Sequence, residues 1–139
     1  MKKYKQNFRK KFNLDIYTCE LHVLLNYDVE KFLKEYCLNS GKECDPDEYK
    51  DLFNSPGCYS GFHRLIKGPK DQKPIIIVKI TTDGMDLSDI AGVISHESFH
   101  AAYLIMDTIN NKLSVAGEEA WAYLCGYIAK CTMQTVLSK

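Results

Sequence analysis

Apolar residues recur every three to four positions across residues 88–109. Ile90, Ile94, Ala101 and Ile105 fall on one face of a helix. Val93, His96, His100, Tyr103 and Leu104 line a broad adjoining face, with Glu97 at its edge. A helix apolar this far round is a buried one. Asp86 or Ser88 can cap its start, and Asp89 suits the first turn. A second helix is expected over residues 116–136, after a turn made by Asn110, Asn111, Lys112 and Gly117.

The first half of the chain has a different period. Residues 15–25 alternate Tyr17, Cys19, Leu21 and Val23 against Ile16, Thr18, Glu20, His22 and Leu24, the pattern of a strand. His22 falls on the more polar face and reads as an ordinary strand residue. Asp28 can cap a helix over residues 29–38, with Phe32, Leu33 and Tyr36 inward, ended by Asn39-Ser40-Gly41. Residues 41–57 are polar and turn-rich and read as a loop with one helical turn near 48–53. Strands are expected at 59–66 and 75–81, joined by Lys67-Gly68-Pro69-Lys70-Asp71. The order β-α-β-β-α-α predicts an α+β fold, in which a small antiparallel or mixed sheet packs against the two long helices. At 139 residues the chain is expected to form one domain with its own core.

Composition narrows the partners. Lys+Arg and Asp+Glu both number 18, so no nucleic-acid or membrane partner is expected. The first eleven residues carry five Lys and one Arg, and residues 1–12 read as a basic, solvated tail. They lack the apolar run of a signal peptide, so a cytoplasmic location is expected. Without export the six cysteines read as reduced thiols. Cys37, Cys44, Cys58 and His63 could form a second metal site on composition alone. Their irregular spacing favours ordinary buried cysteines.

The chemistry lies in the first long helix. His96-Glu97-Ser98-Phe99-His100 is an HExxH sequence. Residues four apart on a helix sit about 40° apart around the axis and one turn apart along it. Two imidazoles so placed can grip one metal ion, and Glu97 projects from the adjacent strip. Two histidines and a carboxylate beside a metal-activated water are what a zinc hydrolase needs.

A third ligand is required. The metzincin continuation places Gly and His where this chain has Tyr103 and Met106, which excludes that class. Asp107 lies about 10 Å beyond His100 along the helix, too far to share the ion. Glu118 and Glu119 remain, and two antiparallel helices would bring them back toward the histidines.

Here the chain resembles the gluzincin-type metallopeptidases, most of all the small single-domain kind encoded by phages and mobile elements. The resemblance covers roughly residues 75–130. It implies zinc held by His96, His100 and a glutamate of the following helix. The family glutamate usually has a small residue three places later. Ala122 fits that position from Glu119, with Gly126 one turn on, and Trp121 fits less well from Glu118. Glu119 is therefore the expected third ligand. The family aspartate four places after the ligand is replaced by Tyr123. The resemblance also implies an edge strand beside the metal helix that pairs with an extended substrate, and residues 75–81 are the candidate, while the apolar run Ile75-Ile76-Ile77-Val78 also reads as core β-structure.

The implied activity is peptide hydrolysis on a peptide or protein substrate. Zinc lowers the pKa of its water and polarises the scissile carbonyl, and Glu97 acts as general base and then returns the proton to the leaving nitrogen. His63, Arg64, Tyr103 and Tyr123 are candidates for stabilising the transition state. The alternative is a zinc-containing module that binds a peptide or protein without cutting it.

Overall fold

The computed structural model describes residues 3–139, so Met1 and Lys2 of the basic segment lie outside the described residues. The fold is α+β. Five strands form one mixed sheet: β1 (Phe8–Leu14), β2 (Cys19–Leu25), β3 (Tyr36–Leu38), β4 (Gly57–Leu65) and β5 (Ile75–Ile80), in the spatial order β1-β2-β5-β4-β3. The β2–β5 pair is parallel and the others are antiparallel. Helices α1 (Val29–Glu35) and α2 (Pro46–Phe53) cover one face of the sheet. Helices α3 (Leu87–Thr108) and α4 (Glu118–Val136) cover the other. No helix of the described residues is long and apolar enough to cross a membrane.

The main core lies under α3 and α4. Leu21, Val23 and Leu25 of β2 and Ile76, Val78 and Ile80 of β5 meet Ile90, Ile94, Ala101 and Ile105 of α3, and Trp121, Leu124 and Ile128 of α4. These are the residues whose spacing predicted two amphipathic helices. Asp86 caps α3 reciprocally with Asp89: each side chain accepts the other's backbone N–H.

Several expectations need correction. β5 is not an edge strand: it is paired on both sides and all six of its residues are buried. Its apolar run reflects burial on two faces. The basic segment is not wholly a tail, because Phe8–Leu14 forms β1 against β2. A strand at a sheet edge carries Arg9, Lys10 and Lys11 readily, since such charges discourage edge-to-edge pairing. In β2 pairing starts only at Cys19, after a single 3-10 turn at Asp15–Tyr17.

The polar face of β2 is also buried, because α1 and α2 lay aromatic residues over it. Phe32 stacks on Tyr36 and Tyr49 with centroids 4.7 and 5.4 Å away. The first helix stops at Glu35, where Tyr36 turns extended and begins β3. The expected single turn in the loop is the whole of α2, started by Asp45 as cap and Pro46 in the first turn. Lys79 is buried beneath this helix. Its ammonium donates to Phe53 O, Ser55 O and Thr81 Oγ1 at 2.7–3.0 Å, which meets the need of a buried charge for partners.

Candidate metal centre

His96, Glu97 and His100 stand midway along α3, on the side facing β4 and solvent. The two imidazoles converge: His96 Nε2 and His100 Nε2 are 3.2 Å apart. Two zinc–nitrogen bonds of about 2.0–2.1 Å at a tetrahedral angle put their nitrogens about 3.3 Å apart. The pair therefore has the bite a divalent ion needs. The His96 side chain is 67 % exposed, and His100 is half-buried. The His100 ring is held by Tyr59 of β4, stacked on it with centroids 4.6 Å apart.

Glu97 is of another kind. Only 7 % of it is exposed, and no described residue gives it a hydrogen bond. Its Oε1 is 3.9 Å from His96 Nε2. Burial raises the pKa of the carboxyl above its ordinary value, and His96, His100 and Lys79 pull it partly back. A desolvated carboxylate beside two histidines is a stronger base than an exposed one.

Gly57 makes this placement possible. A Cβ there would lie 2.4 Å from Val93 Cγ1 and 3.0 Å from Glu97 Cγ. Without one, α3 settles directly on the start of β4. Beside the contact opens a groove of about 620 Å³, lined by Met85, Asp89, Gly92 and Val93 together with His96 and Glu97. β3 pairs only with the far end of β4, so residues 57–61 have no strand on their outer side. The free edge next to the histidines is thus in β4. The sequence signalled Gly57 only as part of a Pro-Gly turn, and nothing singled out Tyr59.

The other predicted residues lie apart. His63 is not at the site: it points to the opposite sheet face, where Nε2 meets Tyr49 Oη at 2.7 Å and Nδ1 faces Gly61 O. A β-bulge between Ser60 and His63 sets that direction. Tyr123 is 75 % exposed on the outer side of α4, in a pocket with Ile16, Tyr17 and Tyr127. Arg64 stands opposite Cys37 of β3. Tyr103 packs edge-on against Trp121, centroids 5.7 Å apart, one turn beyond the histidines.

Glu118 and Glu119 begin α4, both exposed. Among the described residues no three metal-capable side chains gather, so neither glutamate joins the histidines here. The small residues that favoured Glu119 do not mark a close approach of α4 to α3. Ala122, Tyr123, Gly126 and Lys130, which share its face, are all exposed, and a Cβ at Gly126 would meet nothing within 4 Å. The buried side of α4 is Trp121, Leu124 and Ile128, and Glu118 lies closer to it around the helix. All six cysteines are free thiols, and Cys37, Cys44, Cys58 and His63 form no metal-capable group among the described residues. Burial pushes the Cys58 thiol up to about 11.

No protein-family model, no curated protein and no solved structure matches the chain.

Proposed function

We propose that this protein is a zinc-dependent metallopeptidase of the small gluzincin kind, acting on a peptide or protein in the cytoplasm. The observation that carries the reading is the convergence of His96 Nε2 and His100 Nε2 at 3.2 Å beside the buried carboxylate of Glu97, whose Oε1 is 3.9 Å from His96. His96 and His100 would hold the ion, completed by a carboxylate from the start of α4. A bound zinc ion would supply a more acidic water and a positive charge for the carbonyl oxygen. Glu97 would accept the proton of that water and return it to the leaving nitrogen. The free edge of β4 at residues 57–61 would align the substrate as an added strand beside the histidines. Six free thiols suit a reducing compartment.

A second reading has one observation in its favour. Neither Glu118 nor Glu119 stands with the histidines, which suits a module that binds metal or peptide without turnover.

The test is elemental analysis of protein purified without chelator, followed by digestion of a peptide library with wild type and Glu97→Gln. The peptidase reading expects about one zinc per chain in both proteins. It expects cleavage by wild type, lowered by at least about a thousandfold in the variant. Zinc without cleavage supports the binding module. Absence of zinc, or full activity in Glu97→Gln, overturns the mechanism.

A further inference from the structure

Gly92 sits inside α3, one turn before His96, and is exposed. Glycine within a helix weakens it relative to alanine, so a structural reason is expected. At Gly57 the reason is close contact. At Gly92 a Cβ would meet nothing within 4 Å, and the backbone is ordinary helix. Neither a neighbour nor the backbone calls for glycine there. Yet Gly92 lines the groove of about 620 Å³ onto which Glu97 opens. A helical glycine with empty space above it, in a groove also lined by the buried carboxylate of Glu97, which no hydrogen bond ties down, leaves room for the main chain of a ligand.

Asp89 brings a charge to the groove's lining. One carboxylate oxygen of Asp89 accepts the backbone N–H of Asp86 at 3.2 Å. No Lys or Arg of the described residues pairs with either aspartate. Val93 and Met85 add apolar surface to the lining. Asp89 precedes His96 by seven residues, about 10 Å along the helix. An extended peptide covers about 3.3 Å per residue, so that span takes about three residues.

We propose that the groove binds a peptide whose backbone crosses Gly92 and whose lysine or arginine, about three residues from the reacting bond, ends at Asp89. The ligand class rests on the peptidase reading, but binding can be measured without turnover. The test titrates Glu97→Gln protein with a positional library of end-blocked hexapeptides, read by fluorescence anisotropy. Peptides with Lys or Arg at one position are expected to bind at least about tenfold tighter than those with Glu there. Adding Gly92→Leu, a change on an exposed helix face, should weaken binding at least about tenfold while circular dichroism stays unchanged. Adding Asp89→Asn keeps an acceptor for the Asp86 N–H and should erase the basic preference while neutral peptides still bind. If Gly92→Leu fails to fold, the Asp89→Asn result decides. Equal binding by the variants, no basic preference, or no peptide binding overturns the proposal. Binding of basic peptides without cleavage by wild type would instead defeat the peptidase reading and leave the groove standing. Cleavage by wild type that Gly92→Leu does not slow would do the reverse.

Discussion

The imidazole of His100 lies flat on the ring of Tyr59, with planes 12° apart and centroids separated by 4.6 Å. The stack ties a residue of α3 to the free-edged part of β4 and fixes how far the ring can turn. With His96 Nε2 3.2 Å away, that rotation decides whether the two nitrogens converge.

Tyr59→Ala should therefore weaken zinc binding, whereas Tyr59→Phe should leave it nearly unchanged. An aromatic pair contributes about 0.5–1.5 kcal/mol beyond area burial, or roughly a two- to tenfold change in affinity. Competition with a chromophoric chelator measures it. If Ala and Phe behaved alike, the stack would have no part in holding His100.

The carboxylate that completes the metal site is tested by two alanine variants. Glu118→Ala should lose zinc affinity by more than tenfold, and Glu119→Ala should lose little. Adjacent helical residues point about 100° apart, so one of them alone can lean toward α3. The resemblance favoured Glu119 because Ala122 stands three places after it and Gly126 one turn on, but both look to solvent. Loss in Glu119→Ala alone would restore the sequence-based assignment. Retention in both would remove the gluzincin reading.

The parts of the fold legible in the sequence were those set by local periodicity. The apolar stripe of α3, the second long helix and the Ile75-Ile76-Ile77-Val78 run each carry their pattern within a few turns or residues. HExxH was legible for the same reason, since a helix alone brings residues 96 and 100 together. What escaped depends on distant partners. β1 hides behind its charges because it is an edge, and β3 is too short to show a period. His22 read as an ordinary strand residue on the more polar face, because nothing in β2 reveals that Phe32, Tyr36 and Tyr49 will roof it. The groove could not be read, because its shape comes from α3 lying on β4. Gly92 was not singled out in the sequence, since its place in that groove depends on the same packing.

The close approach of α3 to β4 yields a stability prediction. Gly57→Ala would place a methyl group 2.4 Å from Val93 Cγ1, a separation real atoms do not hold, so the helix or strand must move. Overpacking of this kind costs about 1–3 kcal/mol. Urea denaturation should show that loss, and adding Val93→Ala should recover part of it. The recovery would be partial, because Glu97 Cγ remains 3.0 Å from the new methyl. A neutral Gly57→Ala would mean that helix and strand are not in such contact in solution.

The last prediction concerns the other face of the sheet. His22 is fully buried, with Nδ1 2.7 Å from Tyr36 Oη and Nε2 3.0 Å from Glu20 Oε1. Burial lowers its pKa to about 4; Glu20 opposes the change, while Lys11 and Arg9 add to it. The unfolded chain would titrate this histidine near 6.5. Between about pH 6.5 and 4 the unfolded chain takes up the proton while the folded chain resists it, so stability falls as the pH falls through that window. Above it both states are neutral and the contribution is complete; below it both are protonated and the loss is complete. The gap corresponds to on the order of 3 kcal/mol. His63, lowered for the same reason, adds to the slope and stays in place when His22 is changed. Urea midpoints of wild type should therefore drop from pH 7 to pH 5, and His22→Gln should flatten that drop without removing it. Comparing the two proteins above pH 5 limits interference from carboxylate titration. Parallel curves for variant and wild type would show that His22 is not the neutral, buried group described.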